Sequence, residues 1–295
     1  VSDPAVSDTP GIFASFFGPD PFNLLCVVIL TSLGTWGLPQ MVQKFYAIDN
    51  EASIQKGTVI STIFALIVSG GCYFLGGFGR LFSDQIDVKA NGFDSIIPTM
   101  LSNLSPALIA LVVILVLSAS MSTLSSLVIA SSSTLTIDFL KDNFIKNMSD
   151  KKQVLYIRIL VVVFIAISAI LALIQYKSSV TFIAQLMGIS WGALAGSFLA
   201  PFMFSLYSKK VSKASCWACF LFSSVLMIAN IFFRASFPTW LQSPINCGAF
   251  AMFAGMIIVP VVSLFTSKPD KELVDSAFAC YEKETEVPQK TALGK

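Results

Sequence analysis

Residues 154–176 read Val154-Leu-Tyr-Ile-Arg-Ile-Leu-Val-Val-Val-Phe-Ile-Ala-Ile-Ser-Ala-Ile-Leu-Ala-Leu-Ile-Gln-Tyr176, with a single charge, Arg158, near one end. As a helix rising 1.5 Å per residue, this stretch covers about 34 Å, enough to cross the roughly 30 Å of bilayer hydrocarbon. It is apolar on every face, so its solvent is lipid. Working outward, six further stretches are comparable: 22–40, 57–78, 107–140, 180–206, 215–235 and 246–266. None shows the period-two alternation of barrel strands, and in lipid only helices and closed barrels satisfy their backbone groups. The expected fold is an all-α integral membrane protein with seven transmembrane segments. Composition agrees. Charged residues make up 12% of the 295, about half the share in soluble domains.

The basic residues set an expected orientation. Placing residue 1 outside leaves four of the 19 Lys and Arg on the outer side: Arg80, Lys89, Lys177 and Arg234. The other fifteen fall in inner loops and the tail, so the N-terminus is expected outside and the C-terminus in the cytoplasm. The net charge of +2 reflects this asymmetry and asks for no nucleic-acid partner. The chain starts without Met or a signal peptide, with polar residues ahead of the first span. It is therefore expected to be a fragment beginning in an extracytoplasmic loop, its first partner being the N-terminal half of the same protein. The charged end, closing in Thr-Ala-Leu-Gly-Lys295, is expected to be a genuine C-terminus.

Several segments carry more than length. The first span contains Ser32-Leu-Gly-Thr-Trp-Gly-Leu-Pro-Gln40, where Gly34, Gly37 and Pro39 make an unbroken helix costly. A kinked helix and a discontinuous, solute-binding helix both fit this pattern. Gly70, Gly71, Gly76, Gly77 and Gly79 lack the Lys of a phosphate cradle and are read as close helix packing. Residues 80–106 form a long external loop in which 93–104 has helical periodicity interrupted by Pro98, a candidate lid. The segment from Pro106 to about Leu140 is longer than a bilayer core, and its polar inner third (131–138) is expected to project into the cytoplasm. Ala184, Gly188, Gly192, Gly196 and Ala200 recur every four residues, a ridge that lets another helix approach closely. Cys216 and Cys219 form a lone C-x-x-C without His, read as helix packing and not as a metal or redox site.

Enzymatic chemistry needs titratable groups, and the span interiors hold no Asp, Glu, Lys or His. The chain is not expected to be an enzyme. Hydroxyls remain. In Ala119-Ser-Met-Ser-Thr-Leu-Ser-Ser126, residues Ala119, Ser122, Thr123 and Ser126 share one helical face, with Ser125 beside Ser122. A hard cation binds oxygen and, once desolvated, requires several at once. The same residue types also serve ordinary helix contacts, so spacing alone leaves both readings open.

The stretch from Ala119 through Ser131-Ser-Ser-Thr-Leu-Thr-Ile-Asp138 resembles the eighth core helix of the sodium:solute symporter family, in its bacterial proline/pantothenate/sialate-type branch. Gly37-Leu-Pro-Gln-Met-Val-Gln-Lys-Phe45 resembles the sixth core helix and its following loop, where many members carry Arg at the place of Lys44. Asp94-Ser-Ile-Ile-Pro98 followed by Leu104-Ser-Pro106 resembles the family's external lid. The resemblance implies the second five-helix inverted repeat of the leucine-transporter-type fold, followed by two further helices. The expected layout is an extracytoplasmic loop (1–21), the repeat (22–206, with its lid at about 80–106), two C-terminal helices (207–266) and a cytoplasmic tail (267–295).

Carried over by position, the resemblance implies a sodium site at the Ala119 carbonyl and the Ser122 and Thr123 hydroxyls. A possible second sodium would sit at Ser125 and Ser126 with Ser122. The solute would touch Thr31, Thr35, Trp36, Pro39, Gln40 and Gln185. In the proline-carrying branch aromatic residues stand four and eight positions before the counterpart of Pro39; here Thr35 and Thr31 stand there. The function expected is sodium-coupled symport of a small organic solute (amino acid, vitamin or organic acid) by alternating access across the cell membrane. The rival readings are a transporter-like membrane sensor and a passive channel or packing subunit without sodium coupling.

Overall fold

The computed structural model describes residues 12, 15–42, 48, 50–85, 93–178 and 183–279. Among these residues the chain is helical, with no strand. It is an all-α integral membrane protein. The helices are α1 (Pro21–Ser32), α2 (Pro39–Val42), α3 (Glu51–Gly77), α4 (Ile96–Leu101), α5 (Pro106–Thr134), α6 (Asp150–Ser178), α7 (Ile183–Tyr207), α8 (Lys213–Phe232), α9 (Pro244–Phe265) and α10 (Lys271–Phe278). Short polar side chains stop them from fraying. Asp20 accepts the Asn23 N–H ahead of α1, Asn50 caps α3 through Ser53, and Ser212 caps α8 through Ser215.

Six of these helices are long and apolar enough to cross a membrane: α3, α5 with its extension, and α6 to α9. The seventh expected segment differs. Residues 22–40 form no single span but the 12-residue α1, a 3₁₀ turn over Gly34–Gly37, and α2. Leu38, immediately before Pro39, is forced out of the helical region (φ −89°, ψ 114°). The discontinuous reading of this segment therefore holds over the kinked one.

The chain divides into two compact units, Val1–Tyr46 with Ala184–Lys295, and Ala47–Ile183. In the first, α7, α8 and α9 pack together with α1. The small-residue ridge of α7 explains the closeness. A Cβ added to Gly192 would lie 2.7 Å from the Gly248 Cα, and one added to Gly196 would lie 2.9 Å from the Ala251 Cβ. Cys219 fills the same interface and donates from Sγ to the Gly196 carbonyl at 3.3 Å. At one end, Ser212, Ser215, Ser263 and Thr266 bond to one another, tying the start of α8 to the end of α9. At the other end, Asn230 Nδ2 donates to the Leu241 carbonyl at 2.8 Å across the hairpin.

In the second unit, α5 runs without a break into a π-helical turn over Leu135–Lys141 and packs beside α6. Ser132 and Thr136, within the polar third of this helix, are fully buried. Pro98 does not interrupt the lid helix. It lies in the first turn of α4, where its missing N–H has no helical partner to lose. Lys44, residues 86–92 of the lid and residues 280–295 of the tail fall outside the described residues.

Candidate ion and solute sites

Ala119, Ser122, Thr123, Ser125 and Ser126 all lie on α5, inside its membrane-crossing stretch, and all five are exposed. The Thr123 Oγ1 donates to the Ala119 carbonyl at 3.1 Å, the Ser125 Oγ to the Met121 carbonyl at 2.7 Å, and the Ser126 Oγ to the Thr123 carbonyl at 2.8 Å. Ala119, Ser120, Thr123, Leu124 and Leu127 line an open depression of about 470 Å³.

Those distances fit shared coordination. Two oxygens 3.1 Å apart, each about 2.4 Å from a hard cation, subtend about 80° at the ion, close to an octahedral edge. Both are neutral, so the pair can take a monovalent ion without burying a counter-charge. The local geometry is not unique to α5. In α3, the Thr58 Oγ1 bonds the Ile54 carbonyl and the Thr62 Oγ1 the Thr58 carbonyl, each one turn back, at 2.8 and 2.7 Å. This is the ordinary backbone bond of a helical Thr. What sets Thr123 and Ala119 apart is that both line the depression.

The proposed solute contacts gather only in part. Thr35 and Trp36 lie in the 3₁₀ turn, Pro39 and Gln40 open α2, and Thr31 lies one turn above in α1. Trp36 is largely exposed, while the Thr31 and Thr35 hydroxyls bond the Val27 and Ser32 carbonyls. Glycine seats this break on α7. A Cβ on Gly37 would come within 2.9 Å of both the Ala195 Cα and the Leu199 Cβ. Gln185 is on α7 too, but ten residues before Ala195, about 15 Å along the helix from where the break docks. The structure brings the first five together and leaves Gln185 apart.

A family model for the sodium:solute symporter family matches residues 14–222. The chain belongs to the sodium:solute symporter family. Among its relatives, the sodium/proline symporter of Haemophilus influenzae is 27% identical over 267 residues, covering 87% of this chain and 52% of the relative. The high-affinity proline transporter of Bacillus subtilis is 26% identical, covering 87% and 54%. A sodium/proline symporter of Staphylococcus aureus is 26% identical, covering 89% and 53%. The chain thus spans about half the length of the curated relatives it matches. No solved structure matches it. These relatives are transporters, not enzymes, and this member of their family is a multi-pass membrane protein.

Sequence reasoning passed over two residues that the fold makes conspicuous. Asn23, Gln185 and Asn246 are each the third residue of their helix, α1, α7 and α9. Each has a side-chain carbonyl oxygen that is buried with no partner among the described residues. Only Gln185 was nominated from sequence. An Asn in a first turn reads as a helix cap, and nothing in its spacing says that its oxygen is enclosed.

Proposed function

We propose that the protein containing this chain is a sodium-coupled symporter working by alternating access, with proline the first solute to test. Membership of the family and the proline transport named for its relatives support the reaction class. The observation that carries the ion site is the pairing of Thr123 Oγ1 and the Ala119 carbonyl 3.1 Å apart within a depression on α5. In this reading the Ala119 carbonyl and the Ser122 and Thr123 hydroxyls hold one sodium. Ser125 and Ser126 join Ser122 at a second, where the stoichiometry is two. Oxygens from the part of the protein outside this chain complete each shell, and that part is the first inverted repeat. Thr31, Thr35, Trp36, Pro39 and Gln40 form this chain's share of the solute site at the helix break, with Gln185 at a distance along α7. The first residues lie outside the cell and the tail in the cytoplasm, as the basic residues indicate.

Coupling follows from differential affinity. Sodium stabilises the arrangement in which its ligands close around it, and that arrangement binds solute better. One ion supplies roughly 2.3 kcal/mol per 100 mV and about 1.4 kcal/mol per tenfold gradient, enough for accumulation on the order of 100-fold. The test is uptake of labelled proline by the full-length protein in proteoliposomes, with and without a sodium gradient. Sodium-driven uptake, weakened by Ser122→Ala and Thr123→Ala, is the expected result. Uptake of equal rate in potassium alone removes the sodium reading. Sodium-driven uptake of another small solute in place of proline keeps the ion site and replaces the solute.

A further inference from the structure

One surface of the first unit has no part in that reaction. Where α7 passes α8, Ser197 and Pro201 lie one turn apart and offer little side-chain bulk, while α8 presents Trp217 and Phe220. The mismatch leaves a groove of about 390 Å³, completed by Phe198, Cys216 and Lys213. Its lining surface is almost entirely apolar. Lys213 is its only charged lining residue and the first residue of α8, so it sits at the level where the helix leaves the membrane. From Lys213 to Phe220 the groove follows α8 for seven residues, about 10 Å, into the hydrocarbon. Trp217 stands between, its ring 5.8 Å from that of Phe220 and more than half exposed. A Trp near a helix end is at home where tails meet headgroups.

The electrostatics are one-sided. Residues 208–222 contain three lysines and no acidic residue. Lys209 is committed to Asp275, at 3.0 Å, and to the face of Phe278. Lys213, at the end of the groove, is exposed. A greasy channel that ends at an exposed lysine at the membrane boundary matches an amphiphile with an anionic head and a hydrocarbon tail.

We propose that the groove between α7 and α8 binds one anionic phospholipid, an acyl chain lying along Phe198, Trp217 and Phe220 and the headgroup phosphate held by Lys213. Basic grooves between transmembrane helices select such headgroups, and one lysine contributes about a fivefold preference. The site is independent of the transport reading, since it uses neither the helix break nor α5.

Trp217 reports on its own groove. The full-length protein and its Trp217→Phe variant are reconstituted in vesicles containing brominated phosphatidylglycerol or brominated phosphatidylcholine, and the difference emission isolates Trp217. The expected result is quenching by brominated phosphatidylglycerol about fivefold or more above that by the choline lipid. Lys213→Gln should bring the two to parity, whereas Lys271→Gln, away from the groove, should not. Equal quenching by both lipids in the parent means bulk lipid only and overturns the proposal. So does absence of quenching by either, which means that a protein helix covers the groove. If Trp217→Phe does not fold, native mass spectrometry of the parent, Lys213→Gln and Lys271→Gln proteins decides by counting retained phosphatidylglycerol. A count unchanged in Lys213→Gln also overturns it.

Discussion

Helices α3, α5 and α6 are on average more apolar than α7, α8 and α9, yet it is the second group that buries itself within the chain. Over an 18-residue apolar stretch of each, α7, α8 and α9 bury about a third of their residues within the chain: 33, 28 and 33%. The other three bury 0% of theirs, the buried Val128, Ser132 and Thr136 lying beyond that stretch of α5. Glycine shows the contrast most directly. At Gly188, Gly192 and Gly196 an added Cβ would meet a neighbouring helix at under 3.0 Å, while at Gly70, Gly71, Gly76 and Gly77 no atom lies within 4 Å. Some hydroxyls differ too, although Ser190 and Ser205 of α7 bond their own helix. Those of Ser212, Ser215, Ser263 and Thr266 bond across helices; those of Thr58, Thr62, Thr123 and Ser125 turn back on their own backbone. Since lipid tails are as apolar as leucine, hydrophobicity does not bring helices together in a membrane. Close fit and polar pairing do. The α7–α9 group has both within one chain.

The largest effect that tests this contrast is at the tightest contact. Gly192→Leu places a full side chain where 2.7 Å separates an added Cβ from the Gly248 backbone. Folded, membrane-inserted protein should be lost, as read by size-exclusion profile and by protection from trypsin. Even Gly192→Ala should cost about 1–3 kcal/mol, seen as a lower melting temperature in detergent. A Gly192→Leu protein of normal stability would erase the distinction between the two regions.

Next is Asn230→Ala, which strands the buried Leu241 carbonyl and should cost about 1–3 kcal/mol by the same measurement. Thr123→Ala should act otherwise. It should leave melting nearly unchanged while apparent sodium affinity for uptake falls about tenfold, the scale seen when an ion's surroundings are altered. Thr58→Ala and Thr62→Ala remove the same kind of backbone bond on a different helix, so both should leave sodium affinity as it is. Equal losses at Thr58 and Thr123 would show that the effect is on helix geometry and not on an ion.

The smallest effect is at Gly70→Ala in α3. With no neighbour to displace, the substitution should be neutral or stabilising by up to about 1 kcal/mol, from helix propensity alone. Destabilisation there in the full-length protein would show that the part outside this chain packs on that glycine.

How much of the site could be read from sequence differs residue by residue. The hydroxyl face of α5 follows from spacing, because a helical period places Ala119 and Thr123 one above the other whatever surrounds them. The break at Leu38 follows from Pro39, because the proline ring excludes the helical conformation from its predecessor. Gln185 stands about 15 Å along α7 from the seat of that break, a separation that residue type does not encode. The seat of Gly37 on Ala195 and Leu199 was likewise invisible.

By itself, then, the sequence determined what each segment must do locally: cross lipid as helix, break at a proline, and line up its small or hydroxyl residues on one face. Those outcomes rest on covalent geometry and on the cost of leaving backbone groups unpaired in hydrocarbon. Tertiary structure alone decided which faces found partners. The ridge of α7 met α9 whereas Gly70, Gly71, Gly76 and Gly77 of α3 met no atom among the described residues, and Asn23 and Asn246 had their oxygens enclosed. Contact between helices depends on the shape and position of the second helix, and no periodicity in the first one encodes that.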